Sequence, residues 1–175
     1  ISQTLGNLGS TITIRPESNS PTIPQNIEIS GFEIKGGIGN LMDRSGADII
    51  ERVGGGIMAY NTSPKIKNNN IKGNGSPQTA NGGGIVAVDS AEDWSFNDRE
   101  WIHNPELLPS TEALDLSNNI FLDNDVNNLG HNVYIYGYED TVTDLSEGYF
   151  DVYIENNELG LTGSSEYWIK GANLN

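Results

Sequence analysis

Gly54-Gly55-Gly56-Ile57-Met58-Ala59-Tyr60, and beyond it Ser63-Pro64-Lys65-Ile66-Lys67-Asn68-Asn69-Asn70-Ile71, is the stretch that decides the fold. Both halves recur. The first returns as Gly82-Gly83-Gly84-Ile85-Val86-Ala87-Val88 and as Gly130-His131-Asn132-Val133-Tyr134-Ile135-Tyr136. The second has the form apolar, any, Gly or Asn, any, any, apolar, and stands at 29–34, 66–71, 116–121 and 154–159. Its third column is Gly31, Asn68, Asn118 and Asn156. Gly and Asn share easy access to positive φ, so this column predicts a left-handed bend between two strands. The next column is Phe32, Asn69, Asn119 and Asn157. Stacked Asn side chains hydrogen-bond along a common axis, so the repeat predicts a ladder.

Period-two alternation sets Ile57/Ala59, Ile85/Ala87 and Val133/Ile135 on one face, with Met58/Tyr60, Val86/Val88 and Tyr134/Tyr136 on the other. Equivalent positions are unevenly spaced: Ile29 to Ile66 is 37 residues, Ile66 to Leu116 is 50 and Leu116 to Ile154 is 38. A propeller or a helical repeat holds its period more closely, whereas stacked strands tolerate long turns. A β-sandwich is the rival architecture, and it does not explain the recurring Asn-Asn column.

The Gly-Gly-Gly-Ile openings and the element Ser63-Pro64-Lys65-Ile66-Lys67-Asn68-Asn69-Asn70-Ile71 resemble the right-handed parallel β-helix repeats of the pectin-lyase-like superfamily, of bacterial secreted or cell-surface type. The resemblance runs from Ile12 to Ile169. It implies an all-β right-handed parallel β-helix (a solenoid) of about four coils, with a long insertion over 89–112 in the third. The expected domain is residues 1–175, an excerpt of a longer chain.

Within that frame Thr11 to Ile14 is an opening strand, and Pro16, Pro21 and Pro24 punctuate the loop after it. Asp48 to Arg52 suits a helical turn, and Tyr138 to Gly148 forms an excursion of the fourth coil. Tyr167 to Lys170 reads as a fifth-coil strand with nothing after it. An uncapped coil exposes unpaired backbone, so an end-to-end contact is expected there.

Composition supports a turn-dense fold, with 21 Gly and 22 Asn. Nine basic residues against 24 acidic ones give a net charge of −15, which repels phosphate backbones and anionic lipid. Nucleic acid is therefore a poor partner, and a polysaccharide or another cell-surface protein a better one. Without cysteine there are no disulfides. No run of 18 apolar residues is present, so no membrane span is expected. The expected location, from the resemblance, is extracellular or on the cell surface.

The insertion 89–112 is the compositional outlier, with seven acidic residues beside Trp94, Phe96, Trp101 and His103. Trp rings next to carboxylates suit a sugar platform, so Trp94, Trp101, His103, Tyr134 and Tyr136 are the glycan-contact candidates, with Trp168 next in line. The competing reading is that the insertion folds back and its Trp rings cover the apolar strip of Met58, Tyr60, Val86 and Val88. Asp123, Asp125 and Asn127 carry side-chain oxygens at alternate positions, a weak calcium pattern. Asn128 and Tyr134 stand where an EF-hand wants Gly and Glu, and an Asx turn explains the same residues. His131 and His103 are the only histidines, so a zinc site is disfavoured. The resemblance also admits polysaccharide lyases and glycoside hydrolases. Neither a lyase base nor paired catalytic Asp is recognisable on the first-strand face, so no catalytic residue is assigned. The expected function is a structural or adhesive scaffold, possible glycan contact running through the 89–112 loop; the alternative is a lyase or hydrolase.

Overall fold

The structure, a computed structural model, describes residues 9–17, 25–44, 49–88, 94–96, 113–136, 150–160, 167–170 and 172–174. All regular elements among them are strands. In chain order they are β1 (Ile12–Ile14), β2 (Glu28–Ser30), β3 (Glu33–Ile34), β4 (Asn40–Arg44) and β5 (Ile49–Val53). Then follow β6 (Ile57–Tyr60), β7 (Lys65–Lys67), β8 (Asn70–Lys72), β9 (Thr79–Asn81), β10 (Ile85–Val88) and β11 (Trp94–Phe96). The remainder are β12 (Leu114–Ser117), β13 (Ile120–Leu122), β14 (Val133–Tyr136), β15 (Phe150–Glu155), β16 (Glu158–Leu159), β17 (Tyr167–Lys170) and β18 (Ala172–Leu174).

Three sheets are built by repetition. The first is ordered β1-β6-β10-β14-β17, the second β2-β7-β12-β15-β18 and the third β3-β8-β13-β16. Every pairing inside them is parallel. The chain visits first, second and third sheet in turn and then begins again. Four units result: β1-β2-β3, β6-β7-β8, β10-β12-β13 and β14-β15-β16. The Tyr167–Lys170 strand does not stand alone, because β18 follows it and pairs with β15.

The bend column forms as expected. Gly31, Asn68, Asn118 and Asn156 have φ of 79°, 56°, 56° and 51°. Each follows residues in direct register, Ser30 with Lys67, Lys67 with Ser117 and Ser117 with Glu155. The column beside it is a continuous ladder. The Phe32 N–H donates to Asn69 Oδ1 at 3.0 Å, the Asn69 amide to Asn119 Oδ1 at 3.1 Å and the Asn119 amide to Asn157 Oδ1 at 3.0 Å. Each Nδ2 also donates to the preceding unit, to Ile29, Ile66 and Leu116 carbonyls at 2.9, 2.7 and 2.7 Å.

A second ladder lies at the corner between the third sheet and the next unit. Gly37 N–H donates to Asn74 Oδ1, Asn74 Nδ2 to Asn124 Oδ1 and Asn124 Nδ2 to Asn132 Oδ1. Asn69 to Asn74 and Asn119 to Asn124 share one spacing, and this repeat was the available signal for it. The glycine triplets have a steric cause. A Cβ on Gly55 would stand 2.3 Å from the Gly83 carbonyl oxygen, and one on Gly83 would stand 2.6 Å from that of His131. Successive units approach too closely here for any side chain on that side.

The enclosed core takes a row of residues from each sheet, Ile57, Ile85 and Val133, then Ile29, Ile66, Leu116 and Ile154, then Ile34, Ile71 and Phe121, with Leu114 and Val152 beside the second. A second core lies outside the first sheet, where Met58, Tyr60, Val86, Val88 and Tyr134 pack with Met42 and Val53. Met42 and Val53 belong to a fourth, mixed sheet ordered β11-β4-β5-β9. Residues 49–53 are thus a strand, antiparallel to β4, and not the helical turn expected for 48–52. Ile49, Ile50 and Val53 are β-branched, and an extended partner in β4 outweighs a turn too short to stand alone.

Candidate functional site

On the outward face of the first sheet the apolar strip expected to be covered is sealed in units 2 and 3: Met58, Tyr60 and Val86 are 0% exposed and Val88 1%. Burial pushes the Tyr60 phenol above its ordinary range. The cover comes from the β4–β5 hairpin, with β11 extending it by antiparallel pairing to β4. Residues 94–96 of the insertion join the edge of the hairpin sheet, and among the described residues it is the hairpin, through Met42 and Val53, that packs on the strip. Trp94 sits in β11 in register with Arg44. Trp101 and His103 lie outside the described residues.

The sealing ends towards unit 4. Tyr134 is 5% exposed, so it belongs to the second core rather than to an open platform. Tyr136 and Trp168 are half-buried. Trp168 stacks on Tyr134 at 4.4 Å between centroids and lies parallel to Tyr136 at 6.3 Å. These three rings are brought together because β14 and β17 pair Tyr134 with Trp168 and Tyr136 with Lys170. The result is an aromatic shelf whose inner edge is core and whose outer edge reaches solvent.

Asp123, Asp125 and Asn127 are exposed and alternate with buried Asn124 and Val126. Their spacing is the outward half of an extended segment. The inward half is a ladder rung and an apolar anchor, and Asp125 and Asn127 N–H groups donate to Asn74 and Thr79 carbonyls at 2.8 Å. Asp123 itself has φ 52°, the turn conformation Asp tolerates. Among the described residues no group of three or more His, Cys, Asp or Glu is close enough to hold a metal ion. His131, which replaces Gly55 and Gly83 in its column, sets Nε2 3.3 Å from the Val126 carbonyl oxygen and 4.0 Å from Asp125 Oδ1.

The outward faces of the second and third sheets are polar. Lys35, Lys65, Lys67 and Lys72, four of the nine basic residues, lie there. Lys67 Nζ pairs with Asp115 Oδ2 at 2.7 Å, and Asp115 Oδ1 accepts from Ser117 Oγ at 2.9 Å. The hydrogen bond that the Lys67 ammonium donates to Asp115 holds its pKa above the ordinary value. Glu33 pairs with Lys35 at 2.7 Å and with Lys72, and those two hydrogen bonds lower its pKa from 4.5 to about 2. Nothing in the sequence pattern singled out this charged sector as more than hydrated surface. Among the described residues no helix is long and apolar enough to cross a membrane. No family model, curated protein or solved structure matches the chain.

Proposed function

We propose that this chain is a right-handed parallel β-helix module of pectin-lyase-like type, a single domain with an inserted loop, working outside the cell as a structural or adhesive scaffold. The observation that carries the reading is the second core: Met58, Tyr60, Val86 and Val88 spend the outer face of the first sheet on packing. A sheet packed on both sides and laddered by Asn at two corners suits a stiff spacer that presents its other faces to a partner. The right-handed sense follows from the parallel crossovers, which take that hand in about 98% of cases. The partner is a polysaccharide or a protein of the cell surface, met through the aromatic shelf and the polar faces.

Affinity electrophoresis through gels containing the neutral polysaccharides galactomannan, glucomannan or β-glucan tests this reading, with absorbance of unsaturated sugar ends recorded on separate mixtures with pectin and alginate. Retardation without product is the expected result. Accumulation of unsaturated ends or of reducing sugar overturns the scaffold reading in favour of a lyase or hydrolase.

A further inference from the structure

The corner between the first and second sheets changes length along the stack. It spans residues 15–27, 89–113 and 137–149 in units 1, 3 and 4, but only 61–64 in unit 2. At this short corner a cavity of about 300 Å³ opens beside the second sheet, with Ile27, Ser63, Lys65, Ala113, Asp115 and Tyr153 in its wall. That volume is at the lower end of the range for small-ligand sites, about 300–1,000 Å³.

Register explains how these residues meet. Glu28 pairs with Lys65, Lys65 with Asp115 and Asp115 with Tyr153, so one outward row crosses four strands. Such a row spans about 14 Å at the usual strand spacing. Asp115 already binds Lys67 and Ser117, yet each of its oxygens keeps a further lone pair. Lys65 Nζ has no ion pair among the described residues and is exposed. Tyr153 leaves 45% of its surface open, more than most aromatic rings of the chain that are described.

The floor of the corner carries unmet polarity. Ser63 is 4% exposed and its hydroxyl has no hydrogen-bond partner; Asn61 is 0% exposed and neither its Oδ1 nor its Nδ2 has one. Buried polar groups are nearly always satisfied, so the unmet Ser63 hydroxyl in the cavity wall calls for an explanation.

We infer that this notch binds one neutral pyranose ring, as a free glycoside or as one residue of a glycan. The Lys65 ammonium and the Asp115 carboxylate, neighbours across paired strands, offer a donor and an acceptor for adjacent hydroxyls. The Tyr153 ring supplies the apolar face on which a pyranose stacks, and Ile27 and Ala113 add apolar wall. Glu28, Asp115 and Glu155 surround Lys65 and Lys67, and the chain carries −15, so an acidic sugar is disfavoured. The site is separate from the aromatic shelf, and it does not depend on the scaffold reading.

Amide spectra of the ¹⁵N-labelled chain, titrated with methyl β-glucoside, methyl β-galactoside, methyl N-acetyl-β-glucosaminide and cellotetraose, test it. Saturable shifts at Ser63, Lys65 and Asp115 are expected with at least one of them; tighter binding of cellotetraose assigns the site to glycans, and equal binding to free sugars. Tyr153→Ala weakens binding about tenfold or more while Tyr153→Phe stays within about twofold. Absence of saturable shifts with all four probes overturns the inference. So does binding that is lost in Trp168→Ala and kept in Tyr153→Ala, whereas production of unsaturated ends would bear on the scaffold reading alone.

Discussion

The first and second sheets are built from the same four units, yet their outer faces have opposite fates. The first reads as unbroken apolar runs, Ile57 to Tyr60 and Ile85 to Val88, and every residue of both strands is buried. The second alternates, as in Lys65-Ile66-Lys67 and Leu114-Asp115-Leu116, with one row buried and the other partly or fully exposed. A strand covered on both sides has no use for a polar row, and a strand facing water on one side requires it. The comparison assigns one face to packing and leaves the other to solvent.

The sharpest way to break the comparison is to charge the sealed face. Val86→Asp buries an unpaired carboxylate between two apolar cores, and we expect a loss of more than about 4 kcal/mol. Lys65→Ala, on the open face of the adjacent sheet, should stay within about 0.5 kcal/mol. Urea unfolding followed by circular dichroism reads both, and equal costs would erase the distinction between the faces.

A smaller effect probes what lies between the faces. Asn119 donates to Asn157 Oδ1 and to the Ile66 carbonyl and accepts from Asn69. Asn119→Ala removes these bonds and strands buried partners, so a loss of about 3 kcal/mol is expected in the same measurement. A change under about 1 kcal/mol would mean the ladder is incidental to stability.

The smallest effect concerns acid. Glu33 titrates at about 2 when folded, below its ordinary 4.5, because Lys35 and Lys72 hold it ionised. A depressed carboxylate contributes stability above the unfolded value, and that contribution is lost as pH falls from about 4.5 through about 2. Its exposure to water keeps the contribution small. Urea midpoints measured from pH 5 to pH 2 should fall less steeply for Glu33→Gln than for the parent chain; parallel curves would remove Glu33 from the acid response.

Much of the architecture was legible because it rests on residues with few alternatives. Asn68, Asn118 and Asn156 occupy positive φ, Asn69, Asn119 and Asn157 form the ladder, and the inward rows of the first sheet are where alternation put them. The cover over Met58 and Val86 was not legible as a hairpin, because residues 40–53 repeat nothing else in the chain and their pairing is long-range. The Asp123, Asp125 and Asn127 spacing left a calcium loop and an Asx turn both open, because alternating oxygens look the same whether they converge on an ion or line the outer side of a turn. The notch at 61–64 escaped notice for a different reason. It arises from a corner being shorter than its neighbours, and a missing length carries no motif.

Both ladders are vectorial. From Phe32 through Asn69 and Asn119 to Asn157, and from Gly37 through Asn74 to Asn124, each backbone N–H donates to an amide oxygen of a later unit, while the Asn Nδ2 groups also donate back to carbonyls of the earlier one. The aligned amide dipoles add, as hydrogen-bonded chains polarise one another. The two ends of each ladder are therefore distinguishable: Phe32 and Gly37 join with a backbone N–H alone, whereas Asn157 and Asn132 join with a side-chain oxygen.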